Sequence, residues 1–340
     1  MRLGLMLGYS GAEVSFDVGL AQEAEALGYD SVWTAEAYGS DAVSPLAWLG
    51  AQTSRIKLGT AVMQLPGRSP ALTAMTAMTL DALSGGRFIL GLGTSGPQVV
   101  EGWHGVPFGK PLTWLREYLL IVRQILARES KVEFEGERYQ IPYRGPGSTG
   151  LGKPLKSIVH GRRNIPIYSG SMAPKSQELC AELCDGLLLT CMHPERPEVI
   201  LENLQRGFER SGRSSASLDI APAVAVIVGD DLDACRLPLK HSIALYLGGM
   251  GARSKNFYNE YIRRVGFEDV AERVQSLFLD GKRKEAVAAV PDALVDALHL
   301  VGPRERIRDR LEVWKSSPVG SMLVGTSDRA TLRMMAELVL

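Results

Sequence analysis

The feature that most constrains this chain is a regular alternation of strand-like and helix-like segments along its 340 residues. Parallel strands that are covered on both faces are indicated by apolar runs such as RLGLML from Arg2 and RFILGLG from Arg87. A third strand is predicted around Ile56 to Met63. Amphipathic segments follow the strands: one runs from about Val14 to Leu27, and another begins at Ser69-Pro70 and ends at Gly85-Gly86. Eight strands, each followed by a helix, predict an α/β fold of the (β/α)8 TIM-barrel type.

Two stretches depart from the alternation. Residues 131–165 are rich in glycine and proline and contain VEFEGERYQI, a segment that predicts a hairpin. Residues 248–290 are basic and aromatic, and their pattern is mostly helical. We expect both stretches to be insertions, so that residues 1–340 form a single barrel domain.

Charge and hydropathy limit the partners of the chain. Lys and Arg number 38 and Asp and Glu also number 38, so no global field favours nucleic acid or an anionic membrane. The apolar amino terminus reaches Gly4 and Gly8 quickly, which fits a first strand better than a signal peptide. No run has the roughly 18 apolar residues that a membrane span needs. A cytoplasmic protein that binds a small-molecule substrate is expected.

The four cysteines, Cys180, Cys184, Cys191 and Cys235, suit a reducing compartment. Cys180 and Cys184 lie one helical turn apart, but no second Cys/His pair follows at zinc-finger spacing, and His193 beside Cys191 is a weak partner. Buried thiols without a metal are therefore expected.

The predicted carboxyl ends of the strands are rich in glycine, serine and threonine and hold few charges. Active sites of such barrels lie at these ends. Glycines there let backbone N–H groups approach a flat ring or a phosphate closely, although glycine also simply terminates strands. From composition alone both interpretations stay open.

The order of residues adds a family resemblance. The runs GLAQEAEALGYDSVWTAEAYG and RIKLGTAVMQLPGRSPALTAMTAMTLDALSGGRFILGLGTSG closely resemble the bacterial luciferase-like family. That family includes deazaflavin-dependent oxidoreductases and flavin-dependent monooxygenases. The segment VVEGWHGVPFGKPL resembles its coenzyme F420-dependent branch. The resemblance implies an oxidoreductase with coenzyme F420 as cofactor, or FMN as the alternative.

The resemblance also assigns cofactor contacts by position. It implies a cis peptide bond between Ala61 and Val62, followed by Met63, against the ring of the cofactor. Gly93 and Thr94 match backbone contacts near the ring or its side chain. The phosphate-binding turn corresponds to the segment Gly170, Ser171, Met172 and Ala173, just before a helix whose positive end suits an anion.

Two departures from the family pattern affect the substrate. Some sugar-phosphate dehydrogenases of the family carry an Asp-His pair after strand two and a Glu after strand four. Here those positions hold Glu36-Ala37 and Gly96, so a sugar phosphate is not the expected substrate. The doubly glycine phosphate turn is also changed, to Met172-Ala173.

Oxidation of an alcohol or reduction of a ketone requires that a proton moves together with the hydride. The first candidate to move it is Glu36 at the end of the second strand. The alternative is that Glu36 hydrogen-bonds the cofactor ring or a backbone amide. His104, in a loop that can cover the mouth, is the second candidate, and a structural role is its alternative.

The surroundings of the mouth are interpreted in the same way. Trp103, Phe108, Met63 and Met172 either line an apolar pocket or pin the loop to the barrel. Basic residues near the mouth either bind a poly-glutamyl cofactor tail or form a solvated face: Lys153, Lys156, Arg162, Arg163, Arg253 and Lys255. The helices after strands two and three, rich in Ala, Met and Leu, suggest a homodimer face or ordinary packing.

Three functions remain open at this point. The first is hydride transfer between coenzyme F420 and a small or lipid-like alcohol, carbonyl or enone. The second is a two-component FMN-dependent monooxygenase on the same scaffold, and the third is a catalytically silent flavin-binding barrel. The fold alone does not choose among them.

Overall fold

Eight parallel strands close into a barrel in this computed structural model, which describes residues 1–340. The strands of the chain are β1 (Arg2–Gly8), β2 (Ser31–Thr34), β3 (Lys57–Thr60), β4 (Met63–Gln64), β5 (Phe88–Gly93), β6 (Phe134–Glu135), β7 (Gln140–Ile141), β8 (Ile167–Gly170), β9 (Gly186–Leu189), β10 (Asp219–Val228), β11 (Leu300–Gly302) and β12 (Ser321–Gly325). The barrel runs β1-β2-β3-β5-β8-β9-β10-β12, and β12 pairs with β1 to close it. The predicted TIM barrel is confirmed.

Helices surround the barrel. They are α1 (Val18–Ala26), α2 (Val43–Gly50), α3 (Pro70–Leu83), α4 (Pro97–Gly102), α5 (Pro111–Ala127), α6 (Pro174–Leu183), α7 (Glu198–Ser211), α8 (Leu232–Ala244), α9 (Phe257–Arg264), α10 (Glu268–Leu279), α11 (Arg283–Ala288), α12 (Asp292–Leu298), α13 (Arg304–Lys315) and α14 (Arg329–Val339). None of them is both long and apolar enough to cross a bilayer.

Local signals fix the boundaries of α3. The Ser69 hydroxyl accepts a hydrogen bond from the Leu72 amide, and Pro70 occupies the first helical position, where no N–H is needed. The helix ends at Leu83, and Gly85 and Gly86 then both adopt positive φ angles. The predicted start and stop of this helix are therefore confirmed.

Other boundaries differ from the sequence predictions. Helix α1 begins at Val18 and not near Val14, because the Asp17 carboxylate accepts the Leu20 amide and caps the helix there. The third predicted strand is broken into β3 and β4 around the Ala61–Val62 bond. Helix α4, strand β11 and helix α13 were not predicted, and the first two are short.

The two departures from the alternation have the predicted local structure. Strands β6 and β7 pair antiparallel and form the hairpin in residues 131–165. Residues 248–290 hold α9, α10 and α11. Strand β11 then pairs parallel with the last residues of β10, beyond the part of β10 that pairs with β12.

The interior of the barrel is filled by a layer of large side chains. Trp33, Tyr168 and four apolar neighbours form this layer, and the rings of Trp33 and Tyr168 lie 5.5 Å apart. Met6, Ala61 and Val62 pack against it from the carboxyl ends of their strands. The barrel is thus a packed core, and ligands bind at its ends.

Candidate active site

The mouth, at the carboxyl ends of the barrel strands, is shaped around Val62. A Cβ atom on Gly93 would lie 2.6 Å from one methyl carbon of Val62, and a Cβ on Gly170 would lie 2.9 Å from the other. Only glycine therefore fits at the ends of β5 and β8 while Val62 stays in place. The mouth has a backbone-lined wall at these two positions.

Other predicted cofactor residues lie at the same end. The peptide bond between Ala61 and Val62 is cis, as the resemblance implied. Thr94 is half-buried directly after β5. The hydroxyl of Ser171 lies 2.9 Å from that of Ser169 and is buried. The structure thus brings the predicted segments together at one edge of the barrel.

A cluster of free hydrogen-bond donors, a candidate anion site, lies where β8 passes into α6. The backbone amides of Met172, Ala173 and Lys175 have no acceptor within the chain. The guanidinium of Arg264 donates to the Met172 carbonyl oxygen at 3.0 Å and forms no ion pair with a carboxylate. Burial lowers the pKa of Arg264. Free amides beside a half-buried, unpaired cation are the donor set that a phosphate requires.

Glu36 lies at the mouth, but both of its carboxylate oxygens are engaged. One oxygen accepts the Gln64 amide at 2.8 Å and the Arg68 guanidinium at 2.7 Å. The other accepts the Ala42 amide at 3.0 Å. The Glu36 side chain is about nine-tenths buried, with a relative exposure of 10%. Of the two sequence interpretations, the structure therefore shows the one in which Glu36 binds backbone amides.

His104 lies next to this network. Its Nε2 atom is 2.9 Å from Oε1 of Gln64, whose side chain is buried. The Nε2 amide group of Gln64 reaches the carbonyl oxygen of Glu36 and the hydroxyl of Ser95. The two predicted catalytic residues, Glu36 and His104, are therefore connected through Gln64.

The predicted apolar pocket is only partly present. Met63, Phe108 and Met172 belong to the main hydrophobic core, which favours the packing interpretation of these residues over a free pocket. They are buried because the loops at the mouth pack onto the barrel through them. Trp103 is 65% exposed and is the one member of the predicted set that can meet a substrate.

Tyrosines supply aromatic surface that was not predicted. Tyr9 and Tyr38 follow β1 and β2 and are 38% and 56% exposed. Burial, followed by the neighbouring Tyr38, raises the pKa of Tyr9. The rings of Tyr246 and Tyr258 meet edge to face at 4.7 Å, and both pKa values are raised chiefly by burial.

The basic residues named for a cofactor tail divide between the two ends of the barrel. Arg162 pairs with Asp81 at 2.6 Å and lines a cavity at the amino-terminal ends of the strands, away from the mouth. Lys156 and Arg163 both contact Glu129 beyond the end of α5. Placing these three near the mouth was wrong, because residues 156–163, just before β8, lie at the opposite end of the barrel.

Of the remaining members of that set, Lys255 lies nearest the mouth. Lys153 is exposed and forms no ion pair. Arg253 lies 3.4 Å from Asp280. Lys255 lies over the ring of Phe108, 4.8 Å from its centre, and so touches the mouth loop. Arg264, from the same insertion, is the basic residue that reaches the predicted phosphate turn.

A cavity of about 470 Å³ lies at the amino-terminal ends of the strands and not at the mouth. It is lined by charged groups that are already paired, such as Arg2 with Asp219 at 2.7 Å and Lys57 with Asp30 at 2.8 Å. Its size alone does not make it the active site, because the chemistry of such barrels is placed at the carboxyl ends.

The cysteines are all free thiols, and Cys180, Cys184 and Cys235 are buried. Burial raises the pKa of Cys191 to about 12. No group of three or more Cys, His, Asp or Glu side chains is arranged to hold a metal ion.

Three site residues were missed from the sequence. Arg68 and Gln64 lie in the segment MQLPGRSP, whose polar side chains between apolar residues were the available signal. Arg264 lies in the basic insertion but has no local sequence feature that separates it from its neighbours. Its role depends on the fold, which brings α9 to the start of α6.

The fold is a TIM barrel, and hydrogen-bond donors that suit an anion lie at its strand ends. Residues 1–320 match the model of the luciferase-like monooxygenase family. A Mycobacterium tuberculosis protein provisionally named a coenzyme F420-dependent oxidoreductase is 47% identical over 100% of this chain and 99% of its own length. The 5,10-methylenetetrahydromethanopterin reductase of Archaeoglobus fulgidus is 29% identical over 92% of this chain and 89% of its own.

Solved structures agree on the fold. The coenzyme F420-dependent tetrahydromethanopterin reductase of Methanopyrus kandleri has a TM-score of 0.80 at 23% identity, over 99% of this chain and 98% of that one. An F420-dependent secondary alcohol dehydrogenase has a TM-score of 0.72 at 16% identity, over the same shares of the two chains. The chain belongs to the luciferase-like monooxygenase family and is an oxidoreductase of that type. The resemblance seen in the sequence is confirmed.

Proposed function

We propose that this protein is a coenzyme F420-dependent oxidoreductase that transfers a hydride between the deazaflavin and an alcohol, carbonyl or enone substrate. The name of the 47% identical relative supports the choice of cofactor. A bound deazaflavin supplies a ring carbon that accepts or donates a hydride. The residues of the chain must then bind the phosphate, seat the ring, exclude water and move a proton.

The observation that carries this proposal is the anion site at the start of α6. The unpaired guanidinium of Arg264 and the free amides of Met172, Ala173 and Lys175 would hold the cofactor phosphate. An unpaired, partly desolvated cation gains most from a phosphate, because charge-assisted hydrogen bonds are the strong ones. The altered turn, Met172-Ala173, still provides these amides.

The ring would lie against the wall at Val62. Gly93 and Gly170 leave room beside its two methyl groups, and Ala61, Met63, Thr94 and Ser171 adjoin it along the chain. The aromatic side chains above it, Tyr9, Tyr38 and Trp103, would cover an apolar substrate and exclude water. This surface is the reason to propose a small or lipid-like alcohol, carbonyl or enone.

We assign proton transfer to His104 and the organisation of the site to Glu36. Both oxygens of Glu36 are occupied by amides and by Arg68, so a proton on either oxygen would disrupt at least one of these hydrogen bonds. His104 is half-buried and uses only one ring nitrogen within the chain. Its other nitrogen is available to a substrate oxygen.

The test is equilibrium binding to the purified protein of coenzyme F420 and of FMN, each oxidised and reduced. We expect micromolar or tighter binding of coenzyme F420 and much weaker binding of FMN. Arg264→Met is expected to weaken coenzyme F420 binding about 10- to 100-fold, since a charge-assisted hydrogen bond contributes about 1.5–3 kcal/mol. Arg263→Met is the matched control, because Arg263 is exposed and faces Glu268 and Glu272.

Each other result has a defined meaning. Preference for reduced FMN would replace the proposal by a two-component monooxygenase. Tight coenzyme F420 binding without turnover of any alcohol, ketone or enone would favour a catalytically silent barrel. Binding of neither cofactor would refute the proposal.

We also propose a homodimer through the helices after β2 and β3. Trp48 on α2 and Leu72, Met75 and Leu83 on α3 are 61%, 46%, 56% and 78% exposed, which is more apolar surface than ordinary packing against the barrel requires. Sedimentation should give a dimer that Met75→Glu dissociates. Leu201→Glu, at an apolar residue on α7 that is 39% exposed, should leave it intact. A monomeric wild-type protein would refute this.

A further inference from the structure

The orientation of one buried amide, that of Gln64, determines which nitrogen of His104 can carry out chemistry. The Gln64 side chain has one nitrogen end and one oxygen end, and both have partners. Its first partner is the backbone carbonyl oxygen of Glu36, 3.1 Å away. A carbonyl oxygen can only accept a hydrogen bond, so the amide nitrogen must face it.

The oxygen end of Gln64 must then face His104. An amide oxygen can only accept, and the distance from Oε1 to Nε2 of His104 is 2.9 Å. Nε2 of His104 therefore carries a hydrogen in every protonation state that keeps this contact. In the neutral ring the lone pair then lies on Nδ1, which has no partner within the chain.

Glu36 holds Gln64 in this orientation from two sides. Its carboxylate accepts the backbone amide of Gln64 at 2.8 Å, and its carbonyl oxygen accepts the side-chain amide. Arg68 balances the charge of the carboxylate. The hydroxyl of Ser95 gives the Gln64 nitrogen a second acceptor at 3.3 Å. Reversal of the amide would place two oxygens against each other at Glu36.

We infer that Gln64 is a positioning residue that fixes the Nε2–H tautomer of His104 and makes Nδ1 the proton-transferring atom. This inference rests on the proposed function. In alcohol oxidation the O–H bond of the bound alcohol breaks and an N–H bond forms on Nδ1. A bound deazaflavin would accept the C–H electron pair as hydride, so charge and atoms would balance. In reduction, the imidazolium returns the Nδ1 proton to the carbonyl oxygen.

The charged groups near His104 are Glu36, Arg68 and Glu101. Glu36 and His104 approach each other beside Gly67: a Cβ built there would lie 3.9 Å from Glu36 Oε1 and 3.5 Å from His104 Cε1. Arg68 pairs with this carboxylate. Glu101, on α4, accepts the amide of Phe108. Because the nearest carboxylate is neutralised by Arg68, the neutral amide of Gln64 is the group that sets the tautomer.

The test is two-bond ¹H–¹⁵N correlation NMR of the full-length protein labelled with ¹⁵N-histidine. The chain has five histidines, and His104→Asn assigns the signal of interest. We expect a pyrrole-type Nε2 and a pyridine-type Nδ1 at high pH. Gln64→Met should give a mixture of tautomers. Gln64→Glu should keep the Nε2–H tautomer and raise the pKa of His104 by about one unit or more, because a carboxylate favours the imidazolium.

The control is Gln98→Glu, which adds a carboxylate to the same mouth loop at an exposed position. It should leave the tautomer unchanged and move the pKa much less than Gln64→Glu does. If the Gln64 variants do not fold, the tautomer of His104 in the wild-type spectrum alone tests the inference. An Nδ1–H tautomer or an equal mixture in the wild-type protein overturns the inference.

The failure of this inference is distinguishable from that of the proposed function. The tautomer is read on protein without cofactor, whereas the proposed function is tested by cofactor binding. Coenzyme F420 binding with the wrong tautomer overturns only the role of Gln64. Once a substrate is known, Gln64→Met should lower kcat while the Kd of the coenzyme stays the same, and an unchanged kcat would contradict the role given to Gln64.

Discussion

The two ends of this barrel are built from different kinds of groups. At the amino-terminal end, charged side chains line a cavity of about 470 Å³, and most have partners in the chain. At the carboxyl end, glycines, an unpaired arginine and free amides surround Val62. This cavity and the proposed site are thus at opposite ends of the barrel.

The charged groups at the amino-terminal end contribute to stability, whereas Arg264 at the mouth is available to a ligand. Arg87, at the amino-terminal end, donates all five of its N–H groups to oxygens of Ser84, Thr53, Ile56 and Gly50. The guanidinium of Arg87 therefore has no free donor for a ligand. Arg264, at the mouth, donates to carbonyl oxygens and keeps donors free.

One polar atom at the amino-terminal end is an exception to this pairing. Asp219 Oδ1 is buried without a partner, while the other carboxylate oxygen accepts hydrogen bonds from Arg2, Tyr168 and Ser321.

The largest expected effect is on stability and comes from the amino-terminal end. Arg87→Met should lower the free energy of unfolding by about 2–4 kcal/mol, because it leaves several carbonyl oxygens without their donor. Urea unfolding at constant m-value measures this. Coenzyme affinity of the folded variant should not change. A loss of affinity without a loss of stability would mean that the two ends are not separate in role.

The second effect is on affinity and comes from the mouth. Gly93→Ala should weaken coenzyme F420 binding at least about tenfold, because the new Cβ displaces Val62 and overpacking of this kind costs about 1–3 kcal/mol. Fluorescence titration measures it. Gly96→Ala is the matched control in the same loop, since its Cβ would meet only Gln98 at 3.5 Å. Equal affinities of the two variants would remove Val62 from the site.

The third effect is a pH dependence on the mouth side, where His299 is partly buried. Nδ1 of His299 accepts the Ala225 amide at 3.3 Å, and burial lowers the pKa of His299 to about 4. Between the usual pKa of about 6.5 and this value, only the unfolded chain binds the proton. The free energy of unfolding should therefore fall by about 1–2 kcal/mol as the pH drops from 7 to 4.

Variants isolate this contribution. His299→Gln keeps an acceptor for the amide but cannot titrate, so it should flatten the pH dependence of unfolding in this range. His241→Gln, at an exposed histidine, should not. If both variants follow the wild-type curve, another group causes the loss of stability in mild acid.

The smallest effect is expected at an exposed ion pair of the amino-terminal end. The Lys57 side chain is 43% exposed and pairs with Asp30. Lys57→Met should change the free energy of unfolding by less than about 1 kcal/mol, since exposed pairs contribute little. An effect as large as that of Arg87→Met would show that burial is not what distinguishes these residues.

The sequence predicted the parts of the molecule that depend on local pattern. Alternating apolar runs and helix signals, such as Ser69-Pro70 and Gly85-Gly86, identified the barrel and most of its helices. Short elements such as α4 and β11 were not predicted, because segments of three to six residues show too little hydrophobic periodicity. The cis bond between Ala61 and Val62 was implied by the resemblance, whereas the break between β3 and β4 was not predicted.

The site was less predictable because its groups come from distant parts of the chain. Glu36 and His104 could be named from their positions after strands, but their roles depend on Arg68 and Gln64, which only the fold brings to them. Arg264 reaches Met172 from 92 residues away. Arg162 has the same charge and lies at the opposite end of the barrel. Charge alone did not distinguish these two arginines.

The most direct measurement is a crystal structure of the protein with oxidised coenzyme F420. The account predicts the ring against Val62 between Gly93 and Gly170, and the phosphate in hydrogen-bond contact with Arg264 and the amides of Met172 and Ala173. A coenzyme bound in the cavity at the amino-terminal end, or at the mouth with Arg264 uninvolved in its phosphate, would contradict the account.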